Sequence, residues 1–303
     1  MPSAVLRSYA AFAVFTFAVI LHPSHIPAQD SAQHDNPTEN RIWLAVEGQS
    51  RAQLIIEPIA TVEDSVLTPV QTSCLSDALT PEDFSSKYLQ SGRKYALLFG
   101  GASVGEGQVG EQNRSAATAS LTYAGSLKIR GQVRALATNT DPGYFRVASR
   151  EPATAEQRGA ALALAREIFS QHGIPEALLP NVRAEYVTRT YLAPSPQPSL
   201  IGSFSLDAGD NEGLLHSIFF VASQPGEKLQ PEFLWIHLAE SEADQEHLRF
   251  VDHADLFGNG QDEVVAKLVS LETQTHRYVI FRRTKDGVHW EQIFRTEPLG
   301  CSS

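Results

Sequence analysis

From residue 41 onward, apolar residues fall into short runs cut by Gly, Pro, Asn and Asp. In the first half the runs are RIWLAVEG (41–48), AQLIIEPIATV (52–62), RKYALLFGG (93–101), ATASLTYAG, SLKIRGQVRALAT and GYFRVASR. In the second half they are SLIGSFSL, LLHSIFFVAS, EFLWIHLAE, HLRFVDHADL, DEVVAKLVSLE, HRYVIFRRT and VHWEQIF. Runs of this length, bounded by turn formers, predict strands. Two segments read differently. TPEDFSSKYL (80–89) offers Thr80 as a cap, Pro81 in the first turn and two acids where the helix dipole favours them. Thr154-Ala155-Glu156-Gln157 is a capping box, and Leu162, Ala165, Ile168 and Phe169 recur at helical spacing as the expected buried face. Gly173 and Pro175 end that helix.

The fold class that follows is mainly β: antiparallel sheets, arranged as a sandwich, an open barrel or a propeller-like meander, with one packed α-helix near 154–172. Strands and helices do not alternate, which argues against a doubly wound parallel sheet. The expected organisation is a signal peptide (1–28), a flexible leader (29–40), an N-terminal β region (41–150), helix and connector (151–199) and a C-terminal β meander (200–303). The connector includes the Pro-rich stretch APSPQPS (193–199).

The signal-peptide reading rests on Arg7, the apolar run AAFAVFTFAVIL (10–21) and Ala28 before a polar stretch. That run is too short to span a bilayer, which takes about 20 residues, and no later run is long enough. The expectation is an exported protein, periplasmic or extracellular, from a bacterial source, with no membrane span in the mature chain. In an oxidising compartment Cys74 and Cys301, the only two cysteines, are expected to pair; two separate buried thiols are the alternative. The formal charge of −11, with no basic cluster beyond Arg282, Arg283 and Lys285, argues against nucleic acid as a partner.

Residues 98–110, LFGGASVGEGQVG, match two chemical motifs. Gly101 to Gly105 fits G-x-S-x-G around Ser103, and Gly105 to Gly110 fits G-x-G-x-x-G. Both motifs need a helix directly after the turn, and the glycines that follow Ser103 oppose one at about 1 kcal/mol each. A glycine-rich hairpin is the expected structure, with no catalytic or dinucleotide-binding role.

A second stretch, FVDHADLFGNGQDEVVAKLVSLE (250–272), places oxygen-bearing side chains between two apolar strands. Calcium loops set ligands at alternating positions, with a glycine for the sharp turn and a closing carboxylate. Here Asp255, Asn259, Gln261 (through its backbone carbonyl) and Glu263 occupy such positions. Residues 252–272 resemble the short calcium loop of FG-GAP (VCBS-like, integrin-α-type) repeats, which reads roughly D-x-D-G-D-G-x-x-D/E before a strand of Val and Leu. The resemblance implies a hairpin around the loop and an adhesive or binding role in an exported protein. The chain departs from the pattern at the third position, where Phe257 stands in place of a carboxylate. The cofactor expectation is therefore either none or Ca²⁺. A metal-free turn keeping the family's shape is the alternative, as is a solvated turn for the second acidic loop around Asp207 and Asp210.

His253 and Asp255 share a strand face at i, i+2. With Asp252 they form the second candidate for chemistry. The functional expectation is a non-enzymatic structural or binding protein with an unknown protein or glycan ligand. The alternative is an exported hydrolase using Ser103 or an Asp252, His253 and Asp255 cluster.

Overall fold

The computed structural model describes residues 40–297, apart from 51–52, 71–79, 126–131, 141–146, 208–213, 225, 227, 285 and 288. The expected signal peptide, most of the leader, Asp210, and both Cys74 and Cys301 lie outside the described residues.

The first part of the chain is a barrel. Its strands are β1 (Arg41–Gly48), β2 (Leu54–Glu63), β3 (Val66–Pro69), β4 (Lys94–Phe99), β5 (Ala102–Asn113), β6 (Thr118–Gly125) and β7 (Val133–Thr138), with helix α1 (Pro81–Tyr88) between β3 and β4. The sheet order β1-β7-β4-β5-β6-β2 closes because β1 also pairs with β2, and β3 hangs from β2 at the margin. Closure removes the free edges that an open sheet would expose. Pro58 is tolerated within β2 because the register shifts there, between Trp43 and Leu44 of β1, so the ladder is already interrupted. One set of alternating side chains fills the barrel: Ile42, Leu44, Val46, Leu54, Ile56, Tyr95, Leu97, Val109 and Leu121. Phe84 and Tyr88 of α1 join this core. The Thr80 hydroxyl accepts from the Asp83 amide, as the sequence pattern predicts.

The second part holds two sheets. A five-stranded sheet runs β12-β11-β10-β9-β8, from β8 (Glu151–Pro152), β9 (Val182–Tyr191), β10 (Pro198–Asp207), β11 (Leu215–Ser223) and β12 (Gln230–His237). A four-stranded sheet runs β13-β14-β15-β16, from β13 (Glu246–Ala254), β14 (Glu263–Ser270), β15 (His276–Arg283) and β16 (Trp290–Arg295). Every strand pairing is antiparallel. Helix α2 (Ala155–Gln171) carries the capping box in full: Thr154 Oγ1 accepts from the Gln157 amide, and Gln157 reaches back to the Thr154 amide. Its buried face is Ala161, Leu164, Ala165, Ile168 and Phe169. Leu162, expected on that face, is only half-buried.

The packing is layered. The α2 face meets Phe204, Leu206, Ile218 and Phe220 on one side of the five-stranded sheet. The other side of that sheet, through Ile201, Phe219 and Val221, meets Leu248, Phe250, Val264, Ala266 and Phe281. The opposite face of the four-stranded sheet, with Val251, Val265, Tyr278 and Ile280, packs on Trp43, Ala45, Ile59, Leu98 and Leu136 outside the barrel. The central strands of the four-stranded sheet are thus buried on both faces, which is why they carry apolar stretches such as VVA and YVIF without alternation.

Two expectations differ from the structure. Of APSPQPS, expected as a connector, residues 193–197 lie in the turn joining β9 to β10 within one sheet, and Pro198 and Ser199 begin β10. GYFRVASR, expected as a strand, has no strand over its described residues 147–150.

Candidate functional site

Where barrel, five-stranded sheet and four-stranded sheet meet, residues remote in sequence come together. The β4–β5 turn supplies Gly100 and Gly101; Ser149 and Arg150 follow the barrel; Thr190 and Tyr191 end β9; His253 nearly ends β13; and Asp262 precedes β14.

Arg150 holds the junction. Its Nη1 donates to the Arg134 and Val251 carbonyls at 2.8 Å each, and its Nε donates to the Tyr186 hydroxyl at 2.8 Å. The guanidinium carbon lies 4.7 Å from the Phe99 ring centre and 4.9 Å from that of Phe250, within cation–π range. Its Nη1 lies 3.5 Å from Asp252 Oδ2. The Asp252 carboxylate is fully buried and accepts the Gly100 amide at 3.0 and 3.1 Å and the His253 amide at 2.9 Å. Burial raises its pKa, opposed by the Arg150 charge.

Beside this anchor runs a chain of hydrogen bonds. His253 Nδ1 lies 3.0 Å from Asp262 Oδ2, which also accepts the Ala193 amide at 2.8 Å. His253 Nε2 lies 2.7 Å from Thr190 Oγ1, and Thr190 Oγ1 lies 2.9 Å from Ser149 Oγ. Thr190, His253 and Asp262 are buried, while Ser149 is half-buried. Ser149, His253 and Asp262 line a cleft of about 490 Å³ with Gly100, Gly101, Glu151, Pro194 and Ser195, and with Val147 and Tyr191 at its rim. A wider groove of about 750 Å³ runs beside Glu47, Gln53, Ile55 and Lys267. There Lys267 bridges Glu47 and Glu57 at 3.1 and 2.8 Å, and Glu57 also takes His276 and the Tyr278 hydroxyl, so the groove's charges belong to the seam between barrel and sheet. Burial raises the Glu57 pKa, but the His276 hydrogen bond and the Lys267 charge outweigh it and bring it down to about 2.

The glycines of LFGGASVGEGQVG now have a physical reason. Gly101 has φ +76, and a Cβ there would sit 2.6 Å from His253 Cε1. Gly100 has φ +60, and its Cβ would sit 2.5 Å from the Arg150 amide. The pair lets the β4–β5 turn pass over the imidazole and the Arg150 backbone. No helix follows: β5 does. Ser103 is exposed on β5 opposite Leu98 and is not among the residues lining the cleft.

The Asp252, His253 and Asp255 trio does not converge. Asp252 serves Arg150 and Gly100, His253 serves Asp262 and Thr190, and Asp255 closes its own loop. Asp255 accepts the Asn259 and Gly260 amides through its two oxygens, and Asn259 Oδ1 accepts the Gln261 amide at 2.9 Å. The Gln261 side chain donates to the Arg283 carbonyl. Glu263 Oε2 accepts the Leu256 amide, while its Oε1 is buried without a partner. Burial pushes the Glu263 carboxyl up to about 8, against the Leu256 hydrogen bond and aided by the nearby Asp255 charge. Phe257 packs on the core between barrel and sheet, with Arg282 over its ring. Four side-chain oxygens of the loop therefore accept backbone amides. Among the described residues no three His, Cys, Asp or Glu side chains form a metal-holding group.

Sequence reading missed Ser149 and Thr190, and gave Asp262 no part in a site with His253. Thr190 is one of several Thr and Ser residues in β9 and β10, and only the fold brings it across 63 residues to His253. No family model matches the chain, and neither the curated proteins nor the solved structures include a significant match.

Proposed function

We propose that the chain is an exported, β-rich binding module whose ligand site is the cleft between the β4–β5 turn, the end of β9 and the start of β14. One observation supports this above others. The cleft is floored by polar groups already paired with one another and rimmed by two of the few large apolar side chains exposed among the described residues, Val147 at 90% and Tyr191 at 39%. A concave site with apolar walls and a few fixed polar groups is the usual form of a small-ligand site. Among the described residues no Lys or Arg lines it, whereas Glu151 and Asp262 do. With an overall charge of −11, this favours an uncharged or cationic ligand, such as a neutral glycan or a short segment of another protein, over an anion.

The test is a thermal-shift screen of the full chain against neutral saccharides, short peptides and small uncharged esters. Compounds that raise the melting temperature of the wild type should lose that effect in Ala148→Trp, which fills the cleft from its lining. Hits unaffected by Ala148→Trp and by Tyr191→Ala would place the ligand elsewhere and refute the assignment.

A further inference from the structure

We infer that Ser149 is the nucleophile of an ester-hydrolysing site, activated by a relay through Thr190 to His253 and Asp262. The inference rests on the cleft being a ligand site. Proton accounting along the chain of hydrogen bonds carries it. An ionised Asp262 only accepts, and it lies 3.0 Å from His253 Nδ1, so that nitrogen carries the proton. An imidazole protonated at Nδ1 alone presents Nε2 as an acceptor. Thr190, 2.7 Å away, has one hydroxyl proton and gives it to Nε2. The contact of 2.9 Å between Thr190 and Ser149 then takes its proton from Ser149, whose hydroxyl has the Gly100 carbonyl at 3.2 Å and the Tyr191 carbonyl at 3.4 Å as competing acceptors. The Ser149 oxygen meanwhile accepts the Tyr191 amide at 3.1 Å. With the Ser149 hydroxyl turned to Thr190, the protons run inward from Ser149 to the imidazole.

Thr190 is fully buried and His253 is sealed from above by Gly101, so neither offers a nucleophile to a ligand. Ser149 is the member of the relay with a hydroxyl in the cleft wall. This is the nucleophile, base and orienting acid of a serine hydrolase with one hydroxyl inserted. No local motif announces it, because the constellation is defined by geometry rather than by spacing.

The reaction balances without a redox partner. Ser149 Oγ attacks the ester carbonyl carbon as its proton passes to Thr190 and the Thr190 proton passes to His253, whose imidazolium is stabilised by Asp262. The bond to the leaving alkoxide breaks, and the proton returns through Thr190 to that oxygen, leaving an acyl group on Ser149. Water then attacks the acyl carbon, gives up its proton by the same route and releases the carboxylic acid. The lining sets the substrate class: an uncharged carboxylic ester, its apolar part against Val147, Tyr191 and Pro194, because no Lys or Arg lines the cleft among the described residues and Glu151 is already ion-paired with Arg189.

The experiment treats the full chain with a fluorophosphonate probe and maps the adduct by mass spectrometry. The expected result is one saturable adduct on Ser149, absent in Ser149→Ala. Thr190→Val should slow labelling by about 100-fold or more, the usual share of general-base assistance. Thr190→Ser, which keeps the hydroxyl, should restore it; a merely structural Thr190 would not give this pattern among variants with equal melting temperatures. An unlabelled Ser149 in folded protein would overturn the inference. So would equal labelling rates in wild type and Thr190→Val. If the cleft still binds compounds in the thermal-shift screen while Ser149 stays unlabelled, the binding role stands and the relay is structural. If both fail, the cleft is not the site.

Discussion

Replacing Glu263 by glutamine should flatten the dependence of stability on pH. Glu263 is buried, its Oε2 accepts the Leu256 amide and its Oε1 has no partner. Its carboxyl is raised from the ordinary 4.5 to about 8 by burial, aided by the Asp255 charge. A group with a raised folded-state pKa binds more protons in the folded state, so its contribution is complete below about pH 4.5 and is lost as pH rises through about 8. Each tenfold change in proton affinity is worth about 1.4 kcal/mol, so the wild type loses on the order of 5 kcal/mol from this group between those limits. Glutamine has nearly the same shape, keeps an acceptor for Leu256 and carries no charge at any pH. The assay is urea unfolding at a series of pH values from 5 to 9, comparing wild type with Glu263→Gln. Other titrating groups, Asp252 among them, are shared and cancel in the difference. The variant should match the wild type near pH 5 and exceed it by several kcal/mol at pH 9. A constant difference across that range would show that Glu263 titrates as an ordinary exposed acid, and the reasoning about its burial would fail.

Glu57, held near 2, works in the opposite sense: its contribution is present above about pH 4.5 and lost as pH falls toward 2, roughly 3 kcal/mol in all. Acid unfolding of Glu57→Gln should show that loss already at pH 7, and an unchanged acid midpoint and stability would refute the role of the Lys267, His276 and Tyr278 clamp. Gly159 lies within α2 with nothing within 4 Å of an added Cβ; Gly159→Ala should stabilise by about 0.5–1 kcal/mol by chemical denaturation, and a destabilisation would mean the helix is not seated as described. Excess calcium against EDTA should leave the melting temperature unchanged, because the loop's oxygens serve its own amides; a rise abolished by Asp255→Ala would restore the ion-binding reading of the loop.

The legible part of the fold is the part set by local chemistry. The capping box at Thr154, the cap at Thr80 and most of the strand runs follow from residues close in sequence, and the structure has them; GYFRVASR is the exception. The choice among sandwich, barrel and meander was not legible. Closure depends on β1 pairing with both β2 and β7, a long-range fact that alternation cannot encode. Pro-rich APSPQPS reads equally as a linker or a turn, because proline restricts φ in either setting. The site was less visible still. Gly100-Gly101 reads as part of a glycine-rich hairpin, because the group that approaches it, His253, lies some 150 residues away. His253 was singled out beside Asp252 and Asp255, yet a bulge in β13 and the packing of three sheets give it Asp262 and Thr190 instead. Asp255, Asn259 and Glu263 do shape the loop, by accepting its backbone amides.

The most direct test of the cleft as ligand site is a crystal structure of the protein soaked separately in isopropanol and in phenol. Small amphiphilic probes gather where a surface offers apolar walls with fixed polar partners. Both should settle against Val147, Tyr191 and Pro194, with their hydroxyls on Ser149 or Ser195. If the cleft holds only water while the probes collect elsewhere, as in the groove beside Glu47 and Lys267, the central claim is wrong.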